Sequence, residues 1–281
     1  MIGRLRVVGG AAAGLCFAVT TVLAQVPGLT KDEFKCESTT ARTLTKFVGS
    51  KTKCVQKCLA TQHKISGPYT DCFSPYGGTT LSCINDPVKG VANKAGAAIV
   101  KACGVRAKPD SCPKCYSAPD CLAGTSMNPF VVYAETNLDI FWPLVYCLES
   151  GSGGPVTTPD TAQAQCEGGL TKALTKLIGA KSKCYETCGS NAFKGTIPQA
   201  ACTPPATDMA TMACVAKATG KATVSVNRVC FGAAPIETPA CYDGSAGRPN
   251  SAAGWVSLVE TAFDHTIPIV GCGSPSGAFL N

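Results

Sequence analysis

Leu44, Phe47, Val48, Val55, Cys58 and Leu59 recur at steps that keep them on one face of an α-helix, and Leu174, Leu177, Ile178, Tyr185 and Cys188 trace the same face further along the chain. Each set predicts a long first helix. The segments that carry them are copies: CESTTARTLTKFVGSKTKCVQKC (36–58) and CEGGLTKALTKLIGAKSKCYETC (166–188) align without a gap, with 10 of 23 positions identical. A second pair, VVYAETNLDIFWPLVYC (131–147) and VSLVETAFDHTIPIVGC (256–272), also aligns without a gap. The chain therefore reads as a tandem duplication.

A second helix is predicted in each half. In the first it covers about Pro87 to Cys103, with Asn85 or Asp86 as cap and Pro87 in the first turn; in the second it covers about Asp208 to Cys230, opened by Asp208. A third is predicted over about Val131 to Trp142 and Val256 to Ile267, ending at Pro143 and Pro268 because proline lacks the amide donor a helix interior needs. Ala92, Ala95, Ala97, Ala98 and Ala102 on the second helix, and Gly49 or Gly179 in the middle of the first, allow helices to approach closely. No strand is required. The expected fold is all-α: two tandem disulfide-stapled helical-hairpin units, each with a third helix.

Between the copies, SGSGGPVTTP has the composition of a flexible linker. This divides the chain into a first unit over 29–149, a linker over 150–161, a second unit over 162–274 and a tail over 275–281. Residues 1–24 carry Arg4 and Arg6, an apolar run, and Val22-Leu23-Ala24 as a signal-peptidase site. The run is broken by Gly9, Gly10 and Gly14, which disfavours a membrane anchor, and Leu15 before Cys16 does not fit a lipoprotein site. The mature chain, expected in the periplasm or outside the cell, offers no transmembrane segment.

Cleavage after Ala24 removes one of 19 cysteines and leaves 18, an even number suited to full pairing in an oxidising compartment. Cys36 and Cys54 lie 18 residues apart, about five helical turns, and Cys58 follows one turn later, so all three face one way. An antiparallel hairpin then pairs cysteines in nested order: Cys36 with Cys103, Cys54 with Cys83, and Cys58 with Cys72. The second half repeats this as Cys166 with Cys230, Cys184 with Cys214, and Cys188 with Cys202. The remainder suggests Cys121 with Cys147, Cys241 with Cys272, and Cys112 with Cys115. With 23 basic and 18 acidic residues once Arg4 and Arg6 are gone, the charge excess is mild.

Candidate chemistry is sparse. Cys112-Pro-Lys-Cys115 is a CxxC pair of the kind thiol–disulfide oxidoreductases use, but its Pro-rich flanks lack a strand–turn–helix context, so a structural bridge is the preferred reading. His63 and His265 are the only histidines and do not align, which leaves no expected metal site and no expected cofactor. Glu135 and Asp139, repeated as Glu260 and Asp264, lie one helical turn apart. Such a pair can serve a hydrolase as acid and base, yet contacts to lysines of the first helix explain it more simply.

Arg42, Lys46, Lys53 and Lys57, with Lys172, Lys176 and Lys183 in the second copy, form a basic stripe on each first helix, and Lys51 and Lys181 add to the charge. The stripes could bind anions. The candidate partners are an anionic envelope polymer or another envelope protein; nucleic acid is not expected, because no aromatic residues interleave with the lysines.

The run KCESTTARTLTKFVGSKTKCVQKC and its repeat at Gln165 to Cys188 resemble lysine- and cysteine-rich helical repeats of uncharacterised exported proteins from environmental bacteria. That resemblance implies export and a helical disulfide fold, and brings no activity. The nested bridging of a helical hairpin is similar in logic to saposin-like modules, which would imply lipid binding. The function expected is a non-catalytic structural or binding protein of the envelope or extracellular space, with an oxidoreductase using Cys112 and Cys115 as the alternative.

Overall fold

The computed structural model describes residues 29–65, 69–104, 112–113, 115–116, 128–148, 161–232, 238–244 and 248–271. The expected signal peptide, nearly all of the linker, the tail, Cys121 and Cys272 lie outside them. The described residues are all-helical, with no strand among them. α1 (Lys31–Lys64), α2 (Gly78–Asn85), α3 (Val91–Cys103) and α4 (Pro129–Val145) belong to the first half; α5 (Thr161–Phe193), α6 (Met209–Val226) and α7 (Ala252–Val270) belong to the second.

α1 opens on a capping box: the Thr30 side chain accepts from the Glu33 amide, and the Glu33 carboxylate accepts from the Thr30 amide. Its inner face buries Cys36, Leu44, Phe47, Cys54, Val55, Cys58 and Leu59. α1 is bridged to the elements that fold back along it, by Cys36–Cys103 to α3, Cys54–Cys83 to α2 and Cys58–Cys72 to the turn before α2. In the second half Cys166–Cys230, Cys184–Cys214 and Cys188–Cys202 do the same for α5. The two hairpins thus have the nested order expected from cysteine spacing. Crosslinks that restrict the unfolded chain in this way typically contribute about 2–4 kcal/mol each, not additively.

The second helix departs from expectation in the first half. Instead of one helix from Pro87 there are two, α2 and α3, with a turn between them. The Asp86 carboxylate accepts from the Val88 and Lys89 amides at 2.8 and 2.6 Å, and Asn93 Nδ2 donates to the Asp86 carbonyl at 2.9 Å. These side-chain bonds compete with the helix, so α3 starts only at Val91. α6, capped by Asp208 as predicted, has no such break and runs into a wider π-helical turn, Asn227–Phe231, that carries Cys230.

α4 and α7 also differ from prediction, because each passes through its proline, Pro143 or Pro268, and ends at Val145 or Val270. Their last carbonyls find partners in the opposite half. Tyr242 Oη donates to the Val145 carbonyl at 2.5 Å, and Tyr116 Oη donates to the Val270 carbonyl at 2.5 Å. Each phenol supplies a donor to the last carbonyl of its helix and so caps that end.

The halves are one packed body. α1 and α5 cross antiparallel: Phe34 stacks on Phe193 at one end, Thr45 Oγ1 lies 2.7 Å from Ser182 Oγ near the middle, and Gln56 Nε2 donates to the Gly168 carbonyl at 3.3 Å beyond it. A Cβ placed on Gly49 would stand 3.9 Å from Thr175 Cγ2, and one on Gly179 would stand 3.8 Å from Thr45 Cγ2. Both are ordinary van der Waals distances, so the mid-helix glycines lie at the contact between the halves without being required by it. A single core holds Trp142 and Val145 of the first half with Tyr242 and Trp255 of the second.

Among the described residues, a bridge crosses between the halves. Cys147 pairs with Cys241, which replaces the two expected pairs Cys121–Cys147 and Cys241–Cys272. The reason is packing: Tyr242, next to Cys241, is anchored on the end of α4, where Cys147 follows. Chain that is cut at a protease site placed within 150–159 is expected to migrate as one species on a non-reducing gel and as two after reduction. Separation without reductant would overturn the cross-bridge.

Candidate functional site

Three features collect the polar and cavity-forming residues: a lysine–carboxylate cluster in each half, and an apolar cleft between the halves. In the first cluster the Lys51 side chain, wholly buried, places Nζ 2.5 Å from Asp139 Oδ1 and 3.1 Å from Glu135 Oε1. The same ammonium lies 5.0 Å from the Tyr76 ring centroid, and the Tyr76 hydroxyl donates to Asp139. In the second, Lys181 Nζ lies 2.9 Å from Asp264 Oδ1 and 3.2 Å from Glu260 Oε1, and Thr219 donates to Glu260.

Helical geometry explains these clusters. Lys51 lies seven residues after Leu44 and four after Phe47, so it continues the inward face of α1 and reaches α4, where Glu135 and Asp139 present both carboxylates on one side. A buried ammonium without partners would be costly, and two carboxylates meet that need. The recurring acids are therefore counter-ions of a buried lysine. One oxygen of each is held by the Lys51 ammonium, and Tyr76 adds a second donor to Asp139, which accounts for the pair without catalysis.

Lys51 and Lys181 do not belong to the basic stripes. Arg42, Lys46, Lys53, Lys57, Lys172, Lys176 and Lys183 are all exposed, on the outer backs of α1 and α5. Arg42 Nε reaches across to Glu186 Oε2 at 2.9 Å, while the structure places no ligand-shaped recess around the row. The separation of one buried lysine from its exposed neighbours was legible in principle: Lys51 and Lys181 align, and so do the Glu and Asp pairs that neutralise them.

The cleft is walled by α1, α4, α5 and α7, with a volume of about 350 Å³. Ala41, Leu44, Leu138, Phe141, Ile178 and Leu258 give it an apolar lining. Glu37 interrupts that lining. Its side chain is buried, Oε2 has no hydrogen-bond partner, and burial pushes its carboxyl up to about 8. The group therefore stays protonated at neutral pH and can both donate and accept. Burial, and then the nearby Glu37, also raises the Tyr116 phenol.

Sequence reasoning passed over Glu37, although a signal existed. Glu37, Ala41, Leu44 and Val48 step along one helical face, so an acid stands in line with apolar positions, and Glu167, its aligned counterpart, is buried too.

Cys112 and Cys115 are both half-cystines. Around them the Tyr116 amide donates to the Pro113 carbonyl at 2.9 Å in a turn, and neither cysteine lies in a described helix. Among the described residues no group of three or more His, Cys, Asp or Glu side chains is arranged to hold a metal ion. No family model, curated protein or solved structure matches the chain.

Lys51→Met is expected to lower stability by about 3 kcal/mol in urea titrations with the bridges intact, and adding Glu135→Gln and Asp139→Asn to it should recover most of that loss. No recovery would mean that Lys51 acts through packing alone. Glu37 gives a pH signature. Its folded pKa, about 8, exceeds the ordinary value of 4.5 that it regains on unfolding, so the folded state holds the extra proton and stability falls as pH rises between those values. Glu37→Gln should melt like the parent at pH 4 and higher than the parent at pH 8. Equal melting temperatures at both would refute the protonated carboxyl.

Proposed function

We propose that the chain is a non-catalytic exported binding protein, built from two disulfide-stapled helical units that jointly hold one lipophilic small molecule in the cleft between α1, α4, α5 and α7. The observation that carries this reading is the cleft itself. It has the size of a small-molecule site, its walls are apolar, and it contains one buried carboxyl with a free hydrogen-bonding oxygen. A protonated acid in an apolar wall suits a neutral polar head, such as a hydroxyl or carbonyl, on an otherwise apolar ligand.

Export is supported by the density of disulfides and by the absence, among the described residues, of a helix long and apolar enough to cross a membrane. The oxidoreductase alternative gains nothing from the turn around Cys112 and Cys115. The exposed lysine rows offer charge without a recess, so anionic envelope polymers are secondary to the cleft.

The test is a fluorescence titration of the oxidised full chain with N-phenyl-1-naphthylamine. Saturable binding with a stoichiometry of one is expected, weakened at least about tenfold by Ala41→Trp, which puts an indole into the cleft while leaving the helical circular dichroism unchanged. Binding that does not saturate, or that Ala41→Trp leaves intact, would overturn the proposal.

A further inference from the structure

The two lysine–carboxylate clusters are not equally filled. After the third bridge of each hairpin the chain makes the same turn: the Gly77 amide donates to the Asp71 carbonyl at 3.1 Å in one half, and the Thr207 amide donates to the Ala201 carbonyl at 3.0 Å in the other. With Cys72 matched to Cys202, this register sets Tyr76 opposite Ala206. The first half therefore has a phenol over its cluster, and the second has a methyl group.

A cavity of about 270 Å³ lies at the corresponding place in the second half, bounded by Lys181, Tyr185, Ala206, Thr219, Glu260 and Asp264. Tyr185 stands where the first half has Val55, so its ring narrows this space from the helix side without closing it. Met212, exposed beside it, adds a soft apolar wall of the kind that packs well on aromatic rings.

The polar half of the arrangement is also incomplete. Asp139 Oδ1 takes both the Lys51 ammonium and the Tyr76 hydroxyl. Asp264 Oδ1, shielded from solvent and 2.9 Å from Lys181 Nζ, accepts no hydrogen bond of good geometry. We infer that this cavity is a binding site for a small phenol, whose ring takes the place that Tyr76 fills in the first half and whose hydroxyl donates to Asp264. The first half thus carries its own occupant, and the second is open to one from solution.

The chemistry makes the class specific. A carboxylate acceptor held beside an ammonium rewards a hydroxyl donor, and a hydrogen bond to a charged group discriminates by about tenfold or more against a ring that lacks it. The Lys181 ammonium already has the Phe263 ring 5.7 Å away, so the selectivity rests on the hydroxyl. A phenolate would be repelled by Glu260 and Asp264, so the neutral phenol is the form bound.

The experiment is a nuclear magnetic resonance titration of the oxidised full chain with p-cresol and with toluene, repeated in the Ala41→Trp variant so that the cleft between the halves does not contribute. Saturable shifts around Ala206 and Thr219 are expected for p-cresol, with toluene at least about tenfold weaker. Ala206→Tyr should fill the cavity and abolish these shifts. Tyr76→Ala should open the matching space in the first half and raise the number of p-cresol sites from one to two. The second variant keeps the test decisive if the first does not fold. Equal affinity for p-cresol and toluene, undiminished binding in Ala206→Tyr, or an unchanged number of sites in Tyr76→Ala would each overturn the inference.

Discussion

Near the middle of the antiparallel contact between α1 and α5, Gly49 faces Thr175 and Gly179 faces Thr45. A Cβ at either glycine would meet the threonine methyl at ordinary van der Waals distance, so these two helices of more than thirty residues lie against each other along a close, evenly packed seam. Much else follows from this crossing. It brings Phe34 onto Phe193 and Arg42 onto Glu186, it sets α4 and α7 against the same pair of long helices, and it leaves the apolar cleft among the four. With the long helices crossed in this way, Tyr242 reaches the end of α4 and Tyr116 reaches the end of α7.

The crossing brings the halves together; the bridges and the buried lysines hold each half in shape. Much of the core is half-cystine, alanine and valine rather than large aliphatic side chains, and the two tryptophans sit together near the joint between the halves. Three nested disulfides per hairpin fix the second helix along the first. A lysine on the inward face then ties the third helix down through two carboxylates, an arrangement that would fail if either helix rotated by one residue. The ion cluster therefore specifies register at least as much as it adds stability.

What could be read from the sequence was whatever depends on period and spacing within one half. The inward face of α1 followed from Leu44, Phe47, Val55 and Cys58, and the nested order of three bridges followed from cysteines a few helical turns apart. What could not be read depends on how the halves meet. The Cys147–Cys241 bridge joins residues of different copies, and no spacing inside either copy implies it. α4 continues past Pro143 to Val145, where a tyrosine from the other half caps it, so the proline rule applied to one segment stopped the helix early. The break at Asp86 was local, but its cause, an aspartate that bonds the amides after it, competes with a proline placement that also suits a helix start. Lys51 was read only as adding to the charge of the stripe, and the expected contact between Glu135, Asp139 and lysines of the first helix named no particular lysine.

The two copies have diverged unevenly, and the pattern follows the packing. At the crossing the glycines, the threonines' γ-methyl contacts and the lysine–carboxylate clusters are kept, because each touches a counterpart that would also have to change. Away from it, the ring over the ion cluster has changed: Tyr76 lies over Lys51 in the first half and Phe263 over Lys181 in the second, where Ala206 stands in the place of Tyr76. That exchange alters one half without disturbing the other. The cleft has no such freedom. Its walls include Ala41 and Leu44 from one copy with Ile178 and Leu258 from the other, so neither copy encloses it alone. A shared core, a cross-bridge and a common cleft make the pair of copies the smallest unit that forms this cleft.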